Sequence, residues 1–415
     1  MKYNATPTSQ WPVWLTPVNL AWFMVFAMMA VLNISKAIVS ISMGGLAFAA
    51  VWEVIRSRRI KLHYDIPSTF LKVGLFLLAV VALIWTENQA GWIKDIREKL
   101  PFLALPLGLA LLPRFSSRQK QSVFLVFVMS QSIVAAISLI RFLIDYDQVI
   151  YNISKNGNID IIGSISHIYF GLFLSFSIFL GGYLFLSYRR EWPKWLLIIC
   201  GLCTLFNFLA LHVITSRTGL LAFYGAASCG IFWWMFRKAK WWQGLTFFLV
   251  MAMLPVVAYQ ILPTFKNRVD VTLWDLQESQ NPNRDLADLS AGMRLITWNT
   301  SFEVWRQHPW MGVGKGDLKV EMGKVYEEKG YADRSSHLFS DPHNQYLMVA
   351  ASFGIMGLLI FGCLFVREFF IWRRDQVIFL LFISLILIGM IFESILNRQV
   401  GMTFFIIFSM LIPRS

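Results

Sequence analysis

Three short stretches combine basic side chains with the local signals of a helix start. Each could handle a negatively charged ligand at a membrane boundary. The first is Thr215-Ser216-Arg217-Thr218-Gly219, a tight turn between two apolar runs. Unpaired N–H groups at a helix N-terminus and an adjacent guanidinium together make a phosphate site. The second is Ser290-Ala291-Gly292-Met293-Arg294, where Ser290 reads as an N-cap and Arg294 falls on the first turns of the helix. The third is Asp341-Pro342-His343-Asn344-Gln345-Tyr346. Pro342 closes a long polar stretch and an apolar run follows, so His343 sits at a helix start on the membrane boundary. That position disfavours the protonated ring, and a neutral imidazole can take a proton from a hydroxyl.

Lys36, Arg141, His167, His212 and Arg217 all fall near ends of apolar runs, on one face in the topology read below. An ionisable group in a membrane span costs roughly 2.5–3.5 kcal/mol on insertion scales, so this cationic rim points to an anionic ligand. Arg268, Arg284, Arg306 and Arg334 are equally basic but have no distinguishing context, and the same holds for His308 and His337. No metal site is read: the histidines are scattered, with no H-x-x-x-H and no carboxylate cluster. Gly312-x-Gly314-x-Gly316 follows no strand and reads as a flexible turn rather than a nucleotide loop.

The elements that position these residues follow from composition. Of 415 residues, 57% are hydrophobic and 15% charged. Soluble domains carry about 25% charged residues, so an ordinary cytosolic enzyme, a disordered chain and a disulfide-stapled secreted domain are excluded. Net charge is +13, but the basic residues gather in alternate loops, at 56–61, 114–120, 189–194, 237–240 and 367–374. That is the positive-inside pattern of a membrane protein, not a nucleic-acid site, and it puts both termini in the cytoplasm. All four cysteines lie inside apolar runs, and no disulfide is expected.

The expected fold is an all-α integral membrane protein with about twelve transmembrane helices. The spans read as 17–35, 36–55, 66–86, 101–113, 122–144, 167–187, 195–214, 218–236, 243–263, 344–366, 376–392 and 400–413. Residues 1–263 then hold spans one to nine, 264–342 form one large outer loop, and 343–415 hold spans ten to twelve. Within the loop, Met293, Trp298, Phe302 and Trp305 recur at helical spacing up to Pro309, and a second helix fits 317–329, closed by Gly330. The loop's Trp274, Trp298, Trp305 and Trp310 could rest against lipid or stack on sugars.

Ser216-Arg217-Thr218-Gly219, Arg294-Leu295-x-x-Trp298, Pro309-x-x-Gly312-x-Gly314, Pro342-His343-Asn344-Gln345-Tyr346-Leu347 and Gly354-x-x-Gly357 occur here in that order. This set resembles the O-antigen ligase superfamily, which also contains O-antigen polymerases and protein O-oligosaccharyltransferases. The resemblance implies a GT-C type glycosyltransferase of the bacterial inner membrane, metal-independent and without a cofactor. Its active site would face the periplasm, in a helical periplasmic loop over the membrane helices. The implied donor is O-antigen linked to undecaprenyl diphosphate, and the implied acceptor is lipid A-core, both embedded among membrane lipids. Carried over residue by residue, the resemblance makes Arg217 and Arg294 the diphosphate-binding arginines and His343 the catalytic base. A polymerase using the same donor is the next reading. A protein-directed transferase ranks below it, because the chain stops at Ser415, and a lipid-linked glycan transporter ranks below that.

Overall fold

The computed structural model describes residues 16–154, 157–163, 165–237, 241–280, 285, 289–331, 341–371 and 377–413. Among them the chain is all-helical, with no strand. The helices are α1 (Pro17–Val31), α2 (Lys36–Ser57), α3 (Ile66–Val81), α4 (Gln89–Lys99), α5 (Pro101–Ala110), α6 (Ser117–Ile144), α7 (Tyr146–Ser154), α8 (His167–Tyr188) and α9 (Lys194–Ile214). They continue as α10 (Arg217–Arg237), α11 (Trp241–Ile261), α12 (Pro263–Glu278), α13 (Ser290–Gln307), α14 (Lys315–Glu328), α15 (Gln345–Ile371), α16 (Val377–Phe392) and α17 (Gln399–Leu411).

Eight of these are long and apolar enough to cross a membrane: α2, α3 with its short extension to Ile84, α6, α8, α9, α10, α11 and α15. Three shorter apolar helices, α1, α16 and α17, accompany them. The protein is a multi-pass membrane protein. Polar caps mark where several helices begin. Ser35 Oγ accepts the Ile38 N–H, and Ser116 and Gln119 form a reciprocal capping box at α6.

The short helix α17 is central to the packing. From Val400 to Leu411 every residue is buried, so α17 is enclosed by other helices. Its Phe404 and Phe408 interlock with Phe173 (ring centroids 4.5 Å apart) and Phe176 (4.8 Å) of α8, and with Phe127 of α6 (4.9 Å). These centroid separations fall in the range that adds to plain burial.

Charge also enters the helix bundle, inside what reads as an apolar run. Lys72 of α3 and Glu368 of α15 are fully buried and form an ion pair, with Ser68 Oγ donating to the same Glu368 oxygen at 2.6 Å. Each ion offsets the burial cost of the other.

Three helices lie where connecting loops were expected, α4, α7 and α12. The expected turn at Gly312–Gly316 is packed rather than flexible. It is grafted onto a break in α15. Gly354 has φ 61° and ψ −155°, a conformation essentially confined to glycine. The segment around 309–314 satisfies the backbone freed there. The Val313 and Gly314 N–H groups donate to Ala351 O (3.0 Å) and Ser352 O (2.8 Å), and the Ile355 and Met356 N–H groups donate to Pro309 O (2.8 Å) and Trp310 O (3.3 Å). A methyl on Gly354 would stand 2.3 Å from Trp310 O, so the close approach also demands glycine.

Candidate active site

Arg217 is placed by a crossing of two helices. Thr215 ends α9 in the left-handed region (φ 54°), and α10 starts two residues later, as the turn predicts. Gly219 brings α10 onto α8 at Gly171: a methyl on Gly219 would stand 2.7 Å from the Gly171 carbonyl carbon. Ser175 Oγ bridges the two helices by donating to Gly219 O at 2.9 Å. The first residues of both helices, His167 and Arg217, therefore line one cleft.

Arg294 arrives from α13, whose start differs from the sequence reading. Ser290 is the first helical residue, not the N-cap, and Leu289 occupies the cap position. The capping acceptor comes from α12 instead. Asp275, 1% exposed, accepts the Ser290 N–H at 3.1 Å and the Ala291 N–H at 2.8 Å. A carboxylate at that helix end is favoured by the dipole and satisfies two orphan donors. Burial pulls the Arg294 pKa below its ordinary value, against the charges of Glu393 and Asp275.

His343 precedes α15 rather than starting it. Asn344 does the capping, its Oδ1 accepting the N–H groups of Tyr346 (3.0 Å) and Leu347 (3.1 Å). His343 is left in the left-handed region (φ 48°), a conformation that costs on the order of 1–3 kcal/mol for such a residue. Asp341 offsets that strain by accepting the His343 N–H at 3.2 Å. Its carboxylate also accepts from Ser394 Oγ (2.6 Å), Asn397 Nδ2 (2.7 Å) and Lys315 Nζ (3.2 Å). Burial pushes the Asp341 pKa up, but Lys315, the Ser394 hydroxyl and His343 outweigh it and hold it well below the usual carboxylate range.

Glu393, at the end of α16, completes the arrangement. Its Oε2 lies 3.1 Å from His343 Nδ1. A carboxylate there accepts the Nδ1 proton, which makes Nε2 the basic nitrogen of the neutral ring. Nothing in the local sequence around Glu393 flagged it. Only the return of α16 to the same face pairs it with His343.

These residues share a cleft of about 700 Å³, whose lining includes Arg217, Arg268, Arg294, His343 and Glu393 together with Lys36, Glu98, Arg398 and Gln399. An adjoining groove of about 430 Å³ is walled by Leu220, Phe265, Leu273, Leu276, Trp298 and Phe392. Arg217, Arg268 and Arg294 line both cavities.

The cationic rim read from sequence is therefore brought together in part. Lys36 and His167 join Arg217 at the cleft, and Arg141 and His212 do not line it. His212 is a core residue, its Nε2 2.6 Å from Tyr224 Oη. Arg306 pairs with Glu303 on the surface, whereas Arg284, Arg334 and His337 lie outside the described residues. Trp298 alone of the loop tryptophans lines the groove. Among the described residues, no three His, Cys, Asp or Glu side chains converge as a metal-ligand set.

Arg268 is the cleft residue that sequence reasoning passed over. It sits on α12, a helix that lies where a connecting loop was expected, so no helix start or turn motif marked it. Its Nη2 donates to Gly157 O (2.6 Å) and Asn158 Oδ1 (3.1 Å). Burial, and then the charge of Arg217, lower its pKa to about 10.

Comparison with curated proteins gives no match. Residues 202–362 match the sequence model of the family described as O-Antigen ligase, a stretch that spans Arg217, Arg268, Arg294, His343 and the α15 break. Over this stretch, which carries the cleft arginines and His343, the chain is similar to the O-antigen ligase family.

Proposed function

We propose that this protein transfers a glycan en bloc from undecaprenyl diphosphate to a sugar hydroxyl of lipid A-core. The reaction takes place at the periplasmic face of the inner membrane, during lipopolysaccharide assembly. One observation carries the reading: a His–carboxylate pair, His343 and Glu393 at 3.1 Å, lines the same cleft as a group of arginines, and that group also lines an apolar groove. A base, a diphosphate site and a lipid channel are the parts such a transfer requires. The fold accompanying this reading is a GT-C type arrangement of twelve spans. The three shorter apolar helices α1, α16 and α17, with the ten-residue α5, complete the set, both termini are cytoplasmic, and 264–342 lie over the outer face.

In this reading the polyprenyl chain lies along Phe265, Leu273 and Leu276, and its diphosphate meets Arg217 and Arg294. The acceptor meets the remaining polar wall of the cleft, Lys36, Glu98, Arg398 and Gln399. Nε2 of His343 takes the proton of the acceptor hydroxyl as its oxygen attacks the anomeric carbon. The bond from that carbon to the diphosphate oxygen breaks, and the diphosphate departs with the electron pair. Charge grows on the leaving oxygen, and fixed guanidinium groups aimed at it stabilise the transition state more than the ground state. Positioned arginines thus take the neutralising role, which is a metal-independent route. A single displacement inverts the anomeric carbon.

The test is transfer by the purified protein from undecaprenyl-diphosphate glycan to lipid A-core with EDTA present, for wild type, Arg217→Ala and His343→Ala. Glycan on lipid A-core in wild type alone is the expected result. Longer lipid-linked glycan would make the enzyme a polymerase. Unimpaired variants would overturn the site assignment.

A further inference from the structure

We propose that Arg268 is a third cation of the donor site, and the one that separates a diphosphate-linked donor from a monophosphate-linked one. The inference rests on the donor reading above and adds to it a residue and a selectivity.

Arg268 is 5% exposed, yet it faces both the cleft and the apolar groove. Its two hydrogen-bond partners, Gly157 O and Asn158 Oδ1, are neutral and both sit on Nη2. Its Nε is buried and has no partner among the described residues. A guanidinium offers five N–H donors in a fixed fork, so this one retains donor capacity without a protein carboxylate to receive it. A buried cation left in that state is costly, and a ligand anion removes the cost.

Charge counting points to the kind of anion. Among the described residues, the charged side chains lining the groove are Arg217, Arg268, Arg294 and Asp275. Both Asp275 oxygens already accept backbone N–H groups of α13. Three guanidinium groups against one carboxylate leave two positive charges. A glycosyl polyprenyl diphosphate carries two negative charges, one on each phosphate, and gains a third when the glycosidic bond breaks. A glycosyl polyprenyl monophosphate carries one. Without Arg268 the site would match the monophosphate. With Arg268 it matches the diphosphate, and its positive charge remains matched as the leaving group forms.

The experiment uses the full chain in lipid nanodiscs. The probes are a glycosyl polyprenyl diphosphate and a glycosyl polyprenyl monophosphate of the same chain length. Each is measured as a competitor of transfer and as a thermal stabiliser. Wild type is expected to prefer the diphosphate by on the order of tenfold or more. Arg268→Gln is expected to lose most of that preference while binding the monophosphate about as well as wild type, and Arg268→Lys to keep part of it. With neither probe added, Arg268→Gln is expected to be at least as stable as wild type, because it removes an uncompensated buried charge. An Arg268→Gln protein that keeps the preference, or that loses affinity for both probes equally, would overturn the proposal. So would an Arg268→Gln protein less stable than wild type with neither probe added, which would mark the arginine as a structural tie to Asn158. A wild type with no preference for the diphosphate would instead overturn the donor reading itself, before any substitution is compared.

Discussion

A single methyl at Gly219 tests the helix crossing that places Arg217. In Gly219→Ala the new carbon would stand 2.7 Å from the Gly171 carbonyl carbon and 2.8 Å from Gly171 Cα, both rigid backbone atoms. Ordinary contact needs about 0.7–1 Å more, so α8 and α10 must part by that amount. Overpacking of this kind costs roughly 1–3 kcal/mol. Stretching the Ser175–Gly219 hydrogen bond adds about 1 kcal/mol, and the alanine returns about 1 kcal/mol of helix propensity. Net destabilisation is then roughly 1–3 kcal/mol. Gly182→Ala on the same α8 is the control, because nothing lies within 4 Å of the added methyl, and it should gain up to about 1 kcal/mol. Gly225→Ala should fall between them, since its methyl meets only the end of the Ile388 side chain at 2.6 Å. Unfolding titrations in mixed detergent would rank the three. Because the crossing also sets Arg217 against the cleft, Gly219→Ala should lower transfer on the order of a hundredfold, the penalty expected for a misplacement near 1 Å. Gly219→Ala as stable and as active as Gly182→Ala would refute the argument.

Lys72→Met alone leaves Glu368 buried without its cation and should cost about 3–5 kcal/mol. Adding Glu368→Met should restore most of that in the same titration, and equal instability of the single and double variants would contradict the pairing. Asp341 has a folded pKa below its ordinary 3.8, so its contribution to stability is complete above that value and is lost as pH falls through the folded value. Asp341→Asn should therefore be less stable than wild type at neutral pH, with the gap closing below about pH 4. A gap that stayed constant down to strong acid would sink this account. His343→Ala should lose roughly 10²–10⁴-fold in transfer rate. Glu393→Ala should lose part of that and Glu393→Gln less, since the amide oxygen still accepts the Nδ1 proton; wild-type rates in Glu393→Ala would exclude the pairing role.

Much of the site was legible because its local signals are short. The turn at Ser216–Gly219, the Pro342–Leu347 run and the Gly354–Gly357 pair all lie inside the matched 202–362 region. The Pro-His-Asn order reports a helix boundary, and the structure adds that Asn344 makes the cap while His343 takes the strained position ahead of it. What stayed hidden depends on chain return. Glu393 meets His343 across 50 residues, and Asp275 caps a helix that begins 15 residues later. Neither pairing has a periodicity to betray it. Lys72 escaped notice because a lone lysine in an apolar run looks like a misplaced span end until Glu368 is seen beside it. Ser290 misled for the opposite reason. It is a residue type that caps helices, placed where a neighbouring carboxylate had already taken that task.

The break in α15 also changes what the intervening chain is free to do. Segment 309–314 follows α13, which carries Arg294, and is joined to 351–356 beside His343 by four backbone hydrogen bonds. That joint closes a loop of about forty residues, whose length contributes only logarithmically to the closure entropy. The spacing of Arg294 and His343 is thereby set by the joint and not by the chain threaded between. A change in the length of chain inside that joint is therefore expected to leave the two residues in register. The joint thus separates the chain that holds the reacting geometry from chain whose length can vary without disturbing it.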